Sequence, residues 1–222
     1  MKRTLAYLTA IIIANFSFAQ LPDGFVYVKD FIPDITTDLR YFTTDNFVGK
    51  RIDGYNNNCL ILTKATVFAL KQVQIELATK TIGLKIFDGY RPQQAVDHFM
   101  RWANDLNDTV NKTRFYPNVD KVDLFKEEYI ATRSGHTKGS TVDVTLINLA
   151  TGEELDMGSP YDFFGKQSWI THQDISQLQK SNRALLQHTM LKHGFRNYTK
   201  EWWHFTLKNE PFPNTYFNFP IE

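Results

Sequence analysis

Residues 134–144 read SGHTKGSTVDV, and the passage from glycine-rich to alternating within this stretch decides the fold. Val142, Val144 and Leu146 alternate with Thr141, Asp143 and Thr145, the two-residue period of a half-buried strand over Thr141–Leu146. Asp143 then faces away from the valines. His136 lies seven residues upstream, an odd number, so an unbroken strand would point it the other way. Gly139 offers a place where the backbone can turn and remove the mismatch. A His and an Asp brought together in this way are either two ligands of a metal or a hydrogen-bonded pair stiffening a loop.

Working outward, three helices are expected. Thr63 stands where a cap belongs, ahead of a helix with Ala69, Leu70, Val73 and Leu77 on one face and an end near Gly83. Pro92 suits the first turn of a second, striped by Ala95, Val96, Phe99, Ala103 and Leu106. Ser176 opens a third, which carries Ala184, Leu185 and Leu191 and stops at Gly194. Further strands are expected at Leu84–Phe87 and Trp202–Leu207, with shorter ones near Phe25–Val28 and Asp38–Tyr41. Residues 107–133 are polar and mixed and receive no assignment. Helices and strands do not alternate strictly, so the expected class is α+β, with a mostly antiparallel central sheet and flanking helices in a single domain.

The first twenty residues stand apart from this pattern. Lys2 and Arg3 precede an apolar run from Leu5 to about Phe18, with small residues at Ser17 and Ala19. This reads as a secretory signal over residues 1–19, cut after Ala19, leaving an exported domain over 20–222. The run is too short for a membrane span and contains Thr9 and Asn15, so no lasting membrane anchor is expected. The 222 residues hold 25 Lys and Arg against 24 Asp and Glu, and losing Lys2 and Arg3 leaves 23 against 24. That neutrality offers no basic stripe for a nucleic acid. Cys59 is the only cysteine, which rules out an internal disulfide, and beside Leu60, Ile61 and Leu62 it is expected to be buried and inert.

Near the C-terminus, KEWWHFTLK (200–208) places Trp202, His204 and Thr206 on one strand face, with Glu201 just ahead of the strand. His136, Asp143 and His204 are then three possible ligands and Glu201 an acid outside the set. Zinc hydrolases use that inventory: three N/O ligands, a fourth position for a water, and a nearby carboxylate to take its proton. In IFDGYRPQQAV (86–96) a turn follows one strand and Pro92 starts a helix, so Arg91 sits on a corner, free to point into a cleft. There it is either a solvated arginine, half of a structural ion pair, or a cation for a developing oxyanion. Among the remaining histidines, His188 is expected to pack against Leu185 and Leu191, His98 to lie on a helix without an acid to complete a site, and His172 and His193 to lie at the surface or a helix end.

Taken together these stretches resemble the D-alanyl-D-alanine dipeptidases of the vancomycin-resistance type (the VanX family), within the zinc D,D-peptidases. SGHTKGSTVDVTL resembles that family's Ser-x-His-x-x-Gly-x-x-x-Asp segment, EWWHF its Glu-x-x-His segment and DGYRP its arginine corner. LRYFTTDNFVGKRIDGY (39–55) and DMGSPYDFF (156–164) resemble two further segments, in the family's order. The resemblance implies the zinc D,D-peptidase (hedgehog/DD-peptidase) fold, with one Zn²⁺ per chain on His136, Asp143 and His204. It implies Glu201 as acid/base, Arg91 as stabiliser of the tetrahedral intermediate, Asp162 as receiver of the substrate ammonium, and Ser134 at the substrate end of the pocket. The substrate it implies is D-alanyl-D-alanine. The vancomycin-resistance enzymes work in the cytoplasm, whereas this chain carries an export signal. An exported D,D-carboxypeptidase or endopeptidase of wall peptides, and a zinc-bearing binding module without catalysis, are the alternative readings.

Overall fold

Seven strands and four helices are formed by residues 21–222, the part of the chain that the computed structural model describes. In chain order they are β1 (Phe25–Tyr27), β2 (Thr36–Thr37), β3 (Ile61–Thr63), α1 (Lys64–Ala78), β4 (Ile82–Asp88), α2 (Gln93–Asn104), α3 (Lys112–Phe115), β5 (Thr141–Asn148), α4 (Gln177–Lys192), β6 (Phe195–Tyr198) and β7 (Glu201–Leu207). The export signal read over residues 1–19 lies outside the described residues.

Five of the strands form one sheet in the order β2-β4-β5-β7-β6, with β2 parallel to β4 and every other pair antiparallel. β1 and β3 pair separately. The expected α+β class with a mostly antiparallel sheet is what forms. On one side, Val142, Val144 and Leu146 join a core with Leu70, Val73 and Leu77 of α1 and Leu186 and Met190 of α4. Each such side chain taken fully out of water contributes roughly 1.5–3 kcal/mol. A second cluster gathers Phe99 and Trp102 of α2 with Tyr41, Phe47, Tyr116 and Phe164.

The half-buried reading of β5 does not hold. Thr141, Asp143 and Thr145 are as buried as the valines between them. Two of the three polar groups find partners there: Thr141 and Thr206 join hydroxyls at 2.9 Å, and the Tyr161 hydroxyl reaches Asp143 at 3.1 Å, while the Thr145 hydroxyl is buried without one. Such bonds offset most of the cost of burying polar groups on the second face of a strand.

Other boundaries shift for equally local reasons. Thr63 precedes α1, but its hydroxyl bonds Thr66 and Ser140 rather than capping the backbone. The helix ends at Ala78, and Gly83 sits inside β4, where a Cβ would meet Leu149 at 2.5 Å. Leu106 falls beyond α2 and is exposed, because the Lys121 ammonium takes the carbonyls of Trp102, Asp105 and Asp108 and closes the helix end. Asp38–Tyr41 is not a strand: β2 precedes it, and Arg40–Phe42 is a 3-10 turn.

In α4 the Ser176–Gln179 capping box forms and Gly194 follows the end with φ 92°. The buried face, however, is Asn182, Arg183, Leu186, Thr189 and Met190, leaving Ala184 and His188 exposed and Leu191 largely so. Arg183 donates to the carbonyls of Met157, Gln167 and Trp169, and Asn182 to that of Asp156. A helix that holds a loop by its carbonyls turns its polar donors inward, which hydrophobic periodicity does not register. Cys59 is half-buried rather than buried, and burial pushes its thiol up to about 11. Residues 107–133 form α3, a 3-10 turn at Lys121–Asp123 and irregular chain that packs Phe115, Tyr116, Leu124 and Ile130 into the second cluster.

Candidate metal and catalytic site

The turn ahead of β5 does what the odd spacing requires. Gly135–Lys138 is a 3-10 turn, the Ser134 hydroxyl accepts the His136 N–H at 3.2 Å, and Gly139 closes it at φ 77°. A Cβ at Gly139 would lie 2.2 Å from the Phe25 ring, so both space and backbone conformation call for glycine. His136 and Asp143 thereby reach the same side. Asp143 is directly opposite His204 in the pairing of β5 with β7, and side chains opposite one another on neighbouring strands share a face.

Three donor atoms converge there. His204 Nδ1 lies 3.1 Å and His136 Nε2 3.3 Å from Asp143 Oδ1, and the two ring nitrogens are 3.4 Å apart. His136 Nδ1 donates to the Gly89 carbonyl at 2.8 Å, which leaves Nε2 with its lone pair toward the cluster. Asp143 Oδ1 is buried without a hydrogen-bond partner. Burial opposes ionisation of Asp143, but His136 and His204 outweigh it and hold the carboxyl well below the usual range. Two imidazole nitrogens and an orphaned carboxylate oxygen within 4.8 Å of one another are a fitting donor set for a metal ion with a fourth position open.

Glu201 is the first residue of β7, where the register with β6 is irregular, rather than a residue ahead of the strand. Its Oε2 lies 3.3 Å from His204 Nδ1. Burial chiefly, with Asp143 adding, pushes its carboxyl up to about 7 against the pull of His204 and Arg91. A carboxyl in that range can both take and return a proton near neutral pH.

Arg91 is held, not free. Its Nε donates to Asp88 Oδ2 at 2.9 Å, its Nη2 is 2.9 Å from the same oxygen and 3.7 Å from Asp143 Oδ2, and the guanidinium lies over the Tyr41 and Phe99 rings. The two corners are tied together: Arg91 N–H donates to the His136 carbonyl, and the His136 ring to Gly89. Asp162 is only 6% exposed and sits at φ 59°, a left-handed conformation that non-glycine residues seldom adopt. Its Oδ2 accepts the Tyr41 hydroxyl at 2.9 Å, and burial followed by the Asp143 charge raises its carboxyl well above the ordinary value. Arg91, Ser134, Asp162 and Glu201 all line, with the three donor residues, a cavity of about 300 Å³.

Every residue expected in the site from the sequence is therefore in one place. Other contributors were not singled out. Asp88 reaches the site through the irregular register between β4 and β5, and is met by Arg91, by the Tyr55 hydroxyl at 2.7 Å and by His136 Nδ1 at 3.4 Å. Its position three residues before Arg91 was the available signal. Tyr41 and Tyr161 lie inside segments that carried the family resemblance but had no pattern of their own. Glu128, Tyr129 and Ile130, from the unassigned 107–133 stretch, form a cavity wall. His98 accepts the Asp53 N–H and His193 meets Glu76, both away from the cavity.

Comparison with known proteins gives the family. Residues 22–222 match the family model described as D-ala-D-ala dipeptidase. A D-alanyl-D-alanine dipeptidase of Enterococcus faecalis is 42% identical over 201 residues, 90% of this chain and 100% of that protein. One from Streptomyces coelicolor is 44% identical over 89% of this chain and 98% of its own, and one from Escherichia coli 30% identical over 79% and 80%. Among solved structures, a point mutant of the vancomycin-resistance D,D-pentapeptidase VanY in complex with Zn(II) aligns at TM-score 0.43 and 11% identity over 70% of this chain and 77% of that one. The LD-carboxypeptidase LdcB aligns at TM-score 0.48 and 16% identity over 87% and 72%. With a matching model from residue 22 to the end and relatives above 40% identity along nearly their whole lengths, the chain belongs to the D-ala-D-ala dipeptidase family of peptidases.

Proposed function

We propose that the protein hydrolyses D-alanyl-D-alanine to two D-alanines, with one zinc ion held by His136, Asp143 and His204. The observation that carries this reading is the convergence of those three donors beside the raised carboxyl of Glu201, in a chain matched by dipeptidases over almost its full length. Zinc held by these three residues would supply a Lewis acid and lower the pKa of a bound water to about 7.

The chain's own groups do the rest. Glu201 takes the proton of the attacking water and returns it to the leaving amine. Arg91, fixed by Asp88 and the two rings, presents a positive charge where the oxyanion develops. Asp162 receives the substrate ammonium, and Ser134 lines the cavity while fixing the His136 turn. A carboxypeptidase acting on longer wall peptides needs the ammonium end open. Asp162 is nearly buried and bonded to Tyr41, which favours a short, free-ended substrate. We further propose, from the export signal read over residues 1–19, that the reaction takes place outside the cytoplasm, and cell fractionation tests that part.

The deciding experiment incubates the zinc-loaded protein with D-Ala-D-Ala, L-Ala-L-Ala and N-acetyl-D-Ala-D-Ala. Release of D-alanine from the first alone supports the proposal. Equal cleavage of the acetylated peptide replaces it with a carboxypeptidase.

A further inference from the structure

We propose that Tyr161 is a positioning residue of the metal site: its phenol holds one oxygen of Asp143 so that the other is left for the ion. This rests on the metal part of the preceding reading and not on the substrate.

The two oxygens of Asp143 have different surroundings. Oδ1 faces His204 Nδ1 and His136 Nε2 and has no hydrogen-bond partner. Oδ2 receives the Tyr161 hydroxyl at 3.1 Å, while Arg91 Nη2 stays 3.7 Å away. A carboxylate can rotate about its last bond and exchange its oxygens. A hydroxyl donor fixed on one of them removes that freedom, and groups that orient a ligand in this way tune metal affinity.

The sheet itself aims the phenol. The Tyr161 ring stacks on Phe87 with centroids 4.4 Å apart and planes 11° from parallel, and meets the edge of Trp203 at 5.4 Å. Phe87 is on β4 and Trp203 on β7, the strands flanking β5, so the ring spans the sheet over Asp143. The left-handed backbone at the next residue, Asp162, then sends that carboxylate to the cavity instead.

Tyr161 has a single proton and a second possible acceptor, the Tyr41 hydroxyl at 3.2 Å. Tyr41 commits its own proton to Asp162, so its oxygen can only accept from Tyr161. The ionised carboxylate is the stronger acceptor of the two, since bonds to a charged oxygen are about twice as strong as neutral ones. Tyr161 thus donates to Asp143 and Tyr41 to Asp162, and the two phenol oxygens lie 3.2 Å apart with neither proton directed between them.

The test is Tyr161→Phe, which keeps the ring and its stacking and removes only the hydroxyl. Its zinc dissociation constant, measured by competition with a chelator, is expected to rise about 10-fold to 100-fold, the usual effect of losing a ligand's orienting partner. The KM for D-Ala-D-Ala at saturating zinc should stay near the wild-type value. Tyr41→Phe, which leaves the bond to Asp143 intact, should keep wild-type zinc affinity. Unchanged zinc affinity in Tyr161→Phe, or an equal fall in Tyr41→Phe, overturns the assignment. A wild type that holds zinc yet does not cut D-Ala-D-Ala fails the functional reading and leaves this comparison standing; one that holds no zinc overturns both.

Discussion

Asp143 and His204 stand directly opposite one another on β5 and β7, with His204 Nδ1 3.1 Å from Asp143 Oδ1. The register of one strand pair thus places two of the three candidate ligands, and the Gly139 turn brings in the third.

Asp143→Ala removes the only oxygen donor of the set. Metal analysis of the purified wild type should give about one zinc per chain, as a single three-ligand site requires, and the variant should lose both the metal and activity. Full zinc occupancy in Asp143→Ala would take Asp143 out of the site.

Glu201 approaches His204 without joining the converging donors. Glu201→Ala should therefore keep its zinc and lose roughly 10²–10⁴ in kcat, the usual contribution of a general acid/base. Parallel metal analysis and steady-state kinetics check this, and loss of zinc would make Glu201 a ligand.

Arg91→Ala should lower kcat by about 10²–10³ through the missing charge at the oxyanion. It should also destabilise the fold by about 3–5 kcal/mol, because Asp88, 2% exposed in its side chain, would be left as a buried charge without its partner. Thermal unfolding measures the second effect apart from the first. A raised KM with normal kcat would assign Arg91 to ground-state binding.

Asp162 separates a dipeptidase from a carboxypeptidase. A charge-assisted bond that its carboxylate accepts from a free ammonium is worth roughly 1.5–3 kcal/mol. N-acetyl-D-Ala-D-Ala brings no such charge into a site where Asp162 is buried, and should be cut poorly or not at all. Asp162→Asn should narrow the difference by weakening the free dipeptide more than the acetylated one. The ratio of kcat/KM for the two substrates, in both proteins, is the measurement.

The sequence by itself determined the class of the sheet, the place of its central strand, and the parts of the site that sit on visible breaks in pattern. His136 was legible because its odd distance from Asp143 needed a turn and Gly139 supplied one. Arg91 was legible because a strand, a turn and Pro92 bracket it. His204 and Glu201 stood out beside an alternating aromatic strand. The tertiary structure decided what lies between these pieces. That Asp143 meets His204 depends on register between strands whose residues are 61 positions apart (204 less 143). That Asp88 turns inward depends on an irregular pairing of β4 with β5. The buried Thr141 of β5 and the inward Arg183 of α4 share one cause. Hydrophobic periodicity records which face of an element needs cover, and polar groups that are buried by finding hydrogen-bond partners elsewhere in the chain leave no period to read.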